Sequence, residues 1–140
     1  DTALLLAAYN GQRDMVATLL KHGAEVDAKN KYGETALMVA AYWGYRDVLW
    51  PLLKVGAQLE AKNEGGNTPL LLAAFNGQKK VLKALLWFSA DVNAKNSNGD
   101  TAIMVAIGTD HREIVPLLLQ FGADANIENT AGKLAIDFKQ

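Results

Sequence analysis

The sequence contains no cysteine, and this absence removes two kinds of structure from consideration. Without thiols the chain can form neither disulfides nor thiolate metal sites. The absence does not indicate a compartment, because a chain without cysteine is stable under reducing and oxidising conditions alike. Histidine is also scarce, since only His22 and His111 are present. Chemistry that depends on clustered thiols or imidazoles therefore has few residues available to it.

A strong charge of one sign and a long hydrophobic run are missing as well. The formal net charge is −1, so the chain lacks the positive field that favours nucleic acids and anionic membranes. No apolar run is long enough to cross a bilayer, and no basic segment typical of a signal peptide precedes the first apolar residues. Half of the residues are hydrophobic and 21% are charged, which is typical of a folded, soluble chain. We expect neither nucleic acid nor a membrane as the partner, and the compartment stays open.

A period of 33 residues organises the sequence. Glycine, alanine, asparagine and a pair of leucines each recur with this step, and so does a threonine. The threonines are Thr2, Thr35, Thr68 and Thr101. Agreement in so many columns predicts a single domain of stacked units over residues 1–140. The units are 1–30, 31–63, 64–96 and 97–129, followed by a partial C-terminal capping unit at 130–140.

Each unit has the same internal order, which the second one illustrates. Gly33 suits a turn that needs a positive φ, and Thr35 is placed to cap the helix that follows. A short apolar helix is predicted over Leu37–Trp43, ending at Gly44. Valines and leucines spaced three and four residues apart then predict a second helix with one apolar face, which ends at Gly56.

This unit resembles the ankyrin repeat. The resemblance rests on Gly-Glu-Thr-Ala-Leu-Met-Val-Ala-Ala at 33–41, on Gly44 and on Leu-Leu-Lys-Val-Gly-Ala at 52–57, and it covers essentially the whole chain. It implies an all-α solenoid of helix–turn–helix repeats with short β-turn or hairpin loops. It also implies that each repeat contacts only its neighbours and that the stack binds other proteins. In this family the concave surface is formed by the turn tips and the exposed ends of the first helices.

Several residues depart from the family pattern. Its histidine is replaced in each repeat by Leu or Met, so added apolar packing is expected there. Ser89 and Asp110 stand where other units have glycine, and a left-handed conformation would cost each about 1 kcal/mol. Pro51 and Pro116 are expected inside second helices, beyond the first turn, where proline is unfavourable.

No set of residues supports catalysis. His22 and His111 fall three repeats apart and are expected at the surface, and neither Ser89 nor Ser97 has a histidine nearby in the repeat frame. Phosphate-loop and dinucleotide motifs are absent. We therefore predict no enzyme, no catalytic residue, no cofactor and no metal site.

The resemblance maps a candidate partner-binding surface onto the concave face. An aromatic column there ends at Gly108, which predicts contact with a protein partner that fades toward the C-terminal unit. Packing of these rings between the first helices, as core, is the alternative. The candidate binding residues are Tyr9, Asn10, Tyr32, Glu34, Tyr42, Trp43, Asn67, Phe75, Asn76 and Asp100.

A second candidate surface lies on the opposite, convex side. Trp50 and Trp87 occupy positions of the second helices that are mostly polar in other units, and together they predict an exposed apolar patch. A basic row that includes Arg13 and Arg46 is largely neutralised by the next column. The leading hypothesis is a monomeric, non-catalytic protein-binding module, such as an adaptor, an inhibitor or a selected binder. The alternative is a structural or self-associating segment of a larger protein that docks through the tryptophan patch.

Overall fold

The structure, a computed structural model, describes residues 1–138, and within that range the chain is helical without a β-strand. The first helices of the repeats are α1 (Ala3–Tyr9), α3 (Ala36–Trp43), α5 (Pro69–Phe75) and α7 (Ala102–Gly108). The second helices are α2 (Arg13–Lys21), α4 (Arg46–Lys54), α6 (Lys79–Trp87) and α8 (Val115–Gln120). Short 3₁₀ turns occur at Arg112–Ile114 and Ala135–Asp137.

The helices stack in two layers, one of first helices and one of second helices. Extensive contacts join helices of the same repeat or of adjacent repeats, as expected of a solenoid. The positions that depart from the family's histidine, Leu5 and Met38 among them, are fully buried in the core. The predictions of an all-α repeat fold and of apolar packing at these positions are confirmed.

Threonine caps the first helices, with one exception. The backbone N–H of Leu71 donates to Thr68 Oγ1 at 3.3 Å, and Thr2 and Thr35 accept in the same way. Thr101 has the same extended backbone, but its buried Oγ1 has no hydrogen-bond partner within the described chain. The prediction of a bonded cap is therefore wrong at Thr101.

Asparagine side chains hold the turn tips. Asn63 Oδ1 accepts from the backbone N–H groups of Gly65 and Asn67, both at 3.0 Å, and its equivalents in the other repeats make the same pair of bonds. Successive tips are joined by single backbone bonds, such as the 3.0 Å bond from Ser97 N–H to Gly65 C=O. Gly66 has a φ of +74°, and a Cβ atom there would lie 2.6 Å from Ser97 N. Glycine at this position therefore permits the close approach of two tips.

Both departures from the glycine pattern lie where a side chain has room. Ser89 and Asp110 are left-handed, with φ of 70° and 60°. At Gly56, the equivalent of Ser89, an added Cβ would meet nothing within 4 Å. At Gly77, the equivalent of Asp110, an added Cβ would collide with the ring of His111 from the next repeat. Asp110 itself is exposed. His111 is accordingly half-buried, so the expectation of a solvated surface histidine is only partly met there.

The two prolines differ in their position within a helix. Pro51 lies inside α4 as expected, where its missing N–H removes the helical bond to the carbonyl of Asp47, an exposed residue. The expectation is wrong for Pro116, because Arg112–Ile114 forms a 3₁₀ turn and α8 begins only at Val115. Pro116 thus lies in the first helical turn, where its missing N–H has no intrahelical role. Of the predicted cap, Lys139 and Gln140 lie outside the described residues.

Candidate protein-binding surfaces

Aromatic rings contact one another along the ends of the first helices. The rings of Tyr42 and Phe75 are stacked with centroids 6.4 Å apart, and Trp43 meets Tyr42 edge-to-face at 5.1 Å. Trp43 is 51% exposed and Phe75 49%, whereas Tyr42 is half-buried between them. Trp43 and Phe75 therefore form surface rather than core, and Tyr42 supports both rings.

The N-terminal end of this row carries a polar group. The hydroxyl of Tyr9 donates to Glu34 Oε2 at 3.1 Å, and Asn30 Nδ2 donates to the same oxygen at 2.9 Å. Burial, reinforced by the negative charge of Glu34, raises the pKa of Tyr9. The phenol is therefore held neutral, as a hydrogen-bond donor, with its ring partly exposed.

Several of the predicted binding residues are bonded to neighbouring repeats. Asn76 Nδ2 donates to the backbone carbonyl of Tyr42 at 2.9 Å. Asn67 Oδ1 accepts from Asn96 Nδ2 at 3.2 Å, and Asp100 Oδ1 accepts from the equivalent Asn129 Nδ2 at 2.8 Å. These side chains connect the repeats and are fixed in position. Asn10 and Tyr32 are exposed, and Lys31 Nζ lies 5.1 Å from the centre of the Tyr32 ring.

The convex patch consists of two grooves that share one tryptophan. Trp50 is 58% exposed and Trp87 72%, and the ring of Trp50 meets Phe88 edge-to-face at 5.5 Å. A groove of about 410 Å³ between α4 and α6 contains all three rings above Leu49 and other apolar side chains. A groove of about 350 Å³ between α2 and α4 has Trp50 as one wall. The rings predicted to form a patch are thus close together and accessible.

The helix pairs that carry both surfaces follow a known repeat. A family model described as three copies of the ankyrin repeat matches residues 1–63 and, in a second, overlapping match, residues 52–129. The chain belongs to the ankyrin repeat family. Ankyrin repeats are protein-interaction modules and not enzymes, which sets the general class of function. A search of curated proteins found no match to the chain.

Sequence reasoning missed one residue on the predicted concave face of this ankyrin stack. Phe138 lies beside Gly108, where an added Cβ would be 3.4 Å from the Phe138 ring. Phe75 and Phe138 line a groove of about 330 Å³ above Leu72 and Val105. Aromatic surface therefore continues beyond Gly108, because the 3₁₀ turn at Ala135–Asp137 places Phe138 beside that glycine. The repeat frame held the signal, since Phe138 falls in the same column as Leu72 and Val105.

The described part of the ankyrin stack contains neither a cluster of metal ligands nor a helix that could span a membrane. Across residues 1–138, no three His, Asp or Glu side chains are grouped so as to hold a metal ion. No helix in the same range is long and apolar enough to cross a bilayer.

Proposed function

We propose that this ankyrin repeat stack is a non-catalytic module that binds another protein across its concave face. The observation that carries the proposal is the contiguous row formed by Trp43, Tyr42 and Phe75. Half-exposed tryptophan and phenylalanine bury much apolar surface on binding at little cost in side-chain entropy. Such rings, surrounded by amides and carboxylates, have the composition of an interface centre and its rim.

The polar residues around the row support the same proposal. Bonds to neighbouring repeats hold Asn67, Asn76 and Asp100 in place before any partner arrives. A surface that is already ordered loses less conformational entropy when it binds. We infer that these residues position the rings and the rim, while Trp43 contributes the largest share of the affinity. The groove beside Phe138 extends the available surface by one repeat.

The test is capture of partners from a lysate by the immobilised chain, followed by affinity measurement with the partner recovered. Trp43→Ala should weaken binding by about 2 kcal/mol or more, because a central tryptophan is lost. Arg112→Ala, at the exposed start of the fourth repeat's second-helix segment, should cost less than about 1 kcal/mol. The stability of Trp43→Ala should change little, since half of the ring already faces solvent.

Two outcomes contradict the concave proposal. One is a folded Trp43→Ala variant that binds its partner with unchanged affinity. The other is loss of binding on substitution of Trp50 or Trp87, with no effect of Trp43→Ala. Self-association through the tryptophan patch is the second candidate, favoured by the exposure of Trp87. It requires a dimer in solution that Trp87→Ala converts to a monomer, whereas a monomer at high concentration excludes it.

A further inference from the structure

The back of the stack carries an excess of positive charge that the whole-chain balance conceals. Helices α2, α4 and α6 contain two acidic residues, Asp14 and Asp47. Their basic residues are Arg13, Lys21, Arg46, Lys54, Lys79, Lys80 and Lys83. In α2 and α4 an aspartate follows the first arginine and largely neutralises it. In α6 the equivalent position is Lys80, which adds a positive charge instead.

Most of these cations are not paired within the protein. Arg13 lies 3.2 Å from Asp14, and both side chains are largely exposed, so this contact weakens the field only slightly. Arg46, Lys80 and Lys83 have no carboxylate within 4.0 Å among the residues that the structure describes. The positive charge on this face is therefore available to a ligand.

The unpaired cations border the larger tryptophan groove. Arg46 is part of its wall, and Asp47 is the one acidic residue among the side chains that line it. A second depression, of about 380 Å³, shares Arg46 and Trp87 with that groove and is lined by Lys80 and Lys83. An apolar floor with aromatic walls thus lies directly beside a cluster of three positive charges.

We propose that the groove between α4 and α6 binds an acidic, amphipathic segment of another protein. Bulky apolar side chains of that segment enter between Trp50 and Trp87, and its carboxylates face Arg46, Lys80 and Lys83. The groove of about 410 Å³ is within the size range of ordinary ligand pockets. Helical segments that dock in this way place apolar residues three and four positions apart and keep their charges at the rim. This surface is separate from the concave face, so the two can be occupied independently.

The charges disfavour the other occupants. A symmetric contact between two copies would bring two cationic borders together, which opposes dimer formation. A polyanion such as DNA would gain from the lysines but would leave the apolar floor unused. It would also approach a chain whose total charge is −1. An acidic amphipathic segment satisfies both the rings and the cations.

The probe is a labelled synthetic peptide of about 15 residues, which spans four helical turns. It carries Leu and Phe at helical spacing on one face and Glu and Asp elsewhere. A control peptide has Lys at every acidic position. Fluorescence anisotropy should detect binding of the acidic peptide, weakening as salt increases, and little binding of the basic one. Trp87→Ala should weaken the acidic peptide about tenfold or more.

Charge reversal and a concave control complete the design. Lys80→Glu combined with Lys83→Glu should weaken binding about tenfold and remove most of its salt dependence, since opposite charges no longer meet. Trp43→Ala is the matched control, because it removes a half-exposed tryptophan from the other face, and peptide affinity should stay unchanged. Circular dichroism establishes that each variant is folded, and Trp87→Leu, which retains apolar bulk, should recover part of the affinity.

Any of four results overturns the proposal. The first is that the basic peptide binds as well as the acidic one. The second is that Trp87→Ala leaves the affinity for the acidic peptide unchanged in a folded protein. The third is that duplex DNA or anionic vesicles bind through Lys80 and Lys83 while the acidic peptide does not bind. The fourth is that the chain dimerises through Trp87 and the acidic peptide does not compete with dimer formation. Failure of the proposed function is distinguishable from these results, because it would appear as an unchanged affinity of the captured partner for the Trp43→Ala variant.

Discussion

Gly56 and Gly66 form a matched pair for measuring what the approach of two turn tips costs. Both are left-handed, with φ of +88° and +74°. A Cβ atom on Gly56 would meet nothing within 4 Å, whereas one on Gly66 would lie 2.6 Å from the backbone nitrogen of Ser97. Alanine at either position incurs the same conformational penalty, so the difference between the two variants isolates the contact with Ser97.

The expected magnitudes follow from those two contributions. Gly56→Ala should destabilise by about 1 kcal/mol, the cost of a left-handed alanine. Gly66→Ala has the same cost, and it also forces Ser97 away and stretches its 3.0 Å bond to Gly65 C=O. Overpacking costs about 1–3 kcal/mol, and the weakened bond adds about 1 kcal/mol at most. We expect Gly66→Ala to lose about 3 kcal/mol, roughly three times the loss at Gly56.

Urea denaturation followed by circular dichroism measures both variants against the parent chain. The m-value should stay constant, so that the shift in midpoint reports the change in unfolding free energy. Equal midpoints for Gly56→Ala and Gly66→Ala would refute the reasoning, because the tip contact would then contribute nothing. A changed m-value for Gly66→Ala alone would show that the stack no longer unfolds as one unit.

Two further predictions concern single positions in the repeats. Ser89→Gly should stabilise the chain by about 0.5–1 kcal/mol by relieving a left-handed serine, and an unchanged or lower urea midpoint would contradict this. Thr101→Val should be neutral or stabilising, because it removes a buried hydroxyl without a partner. Thr68→Val, its matched control, should lose about 1 kcal/mol with its cap, and equal losses at both threonines would show that Thr101 is bonded after all.

The period of the sequence accounts for most of the fold. Because equivalent residues perform the same task in every repeat, a column of threonines predicts caps and a column of leucines predicts buried faces. The exceptions arise where a repeat is incomplete or distorted. The 3₁₀ turn at Arg112–Ile114 moves the start of α8, and with it the place of Pro116 in the helix. Periodicity alone carries no information on such a local shift.

The candidate surface was predicted less completely. Column positions correctly indicated that Trp43 and Phe75 are exposed. They did not indicate that Asn76 and Asp100 bond across repeats, because those distances depend on how far each repeat rises and rotates relative to the last. Phe138 was missed for a related reason, since the last segment was interpreted only as a polar cap. Whether these residues bind a partner remains a prediction.

The two sides of the stack differ in how strongly successive repeats are held together. On the helix side, broad apolar packing resists separation of the repeats. On the tip side, each step is joined by one backbone bond, such as that from Glu64 N–H to Tyr32 C=O at 3.1 Å, and by a few side-chain bonds, such as that from Asn96 Nδ2 to Asn67 Oδ1. Opening one step there breaks these bonds, each worth about 1 kcal/mol net, whereas the close approach at Gly66 leaves little room for compression. We therefore expect the predicted concave face to open more easily than it closes, which would favour a larger partner over a smaller one.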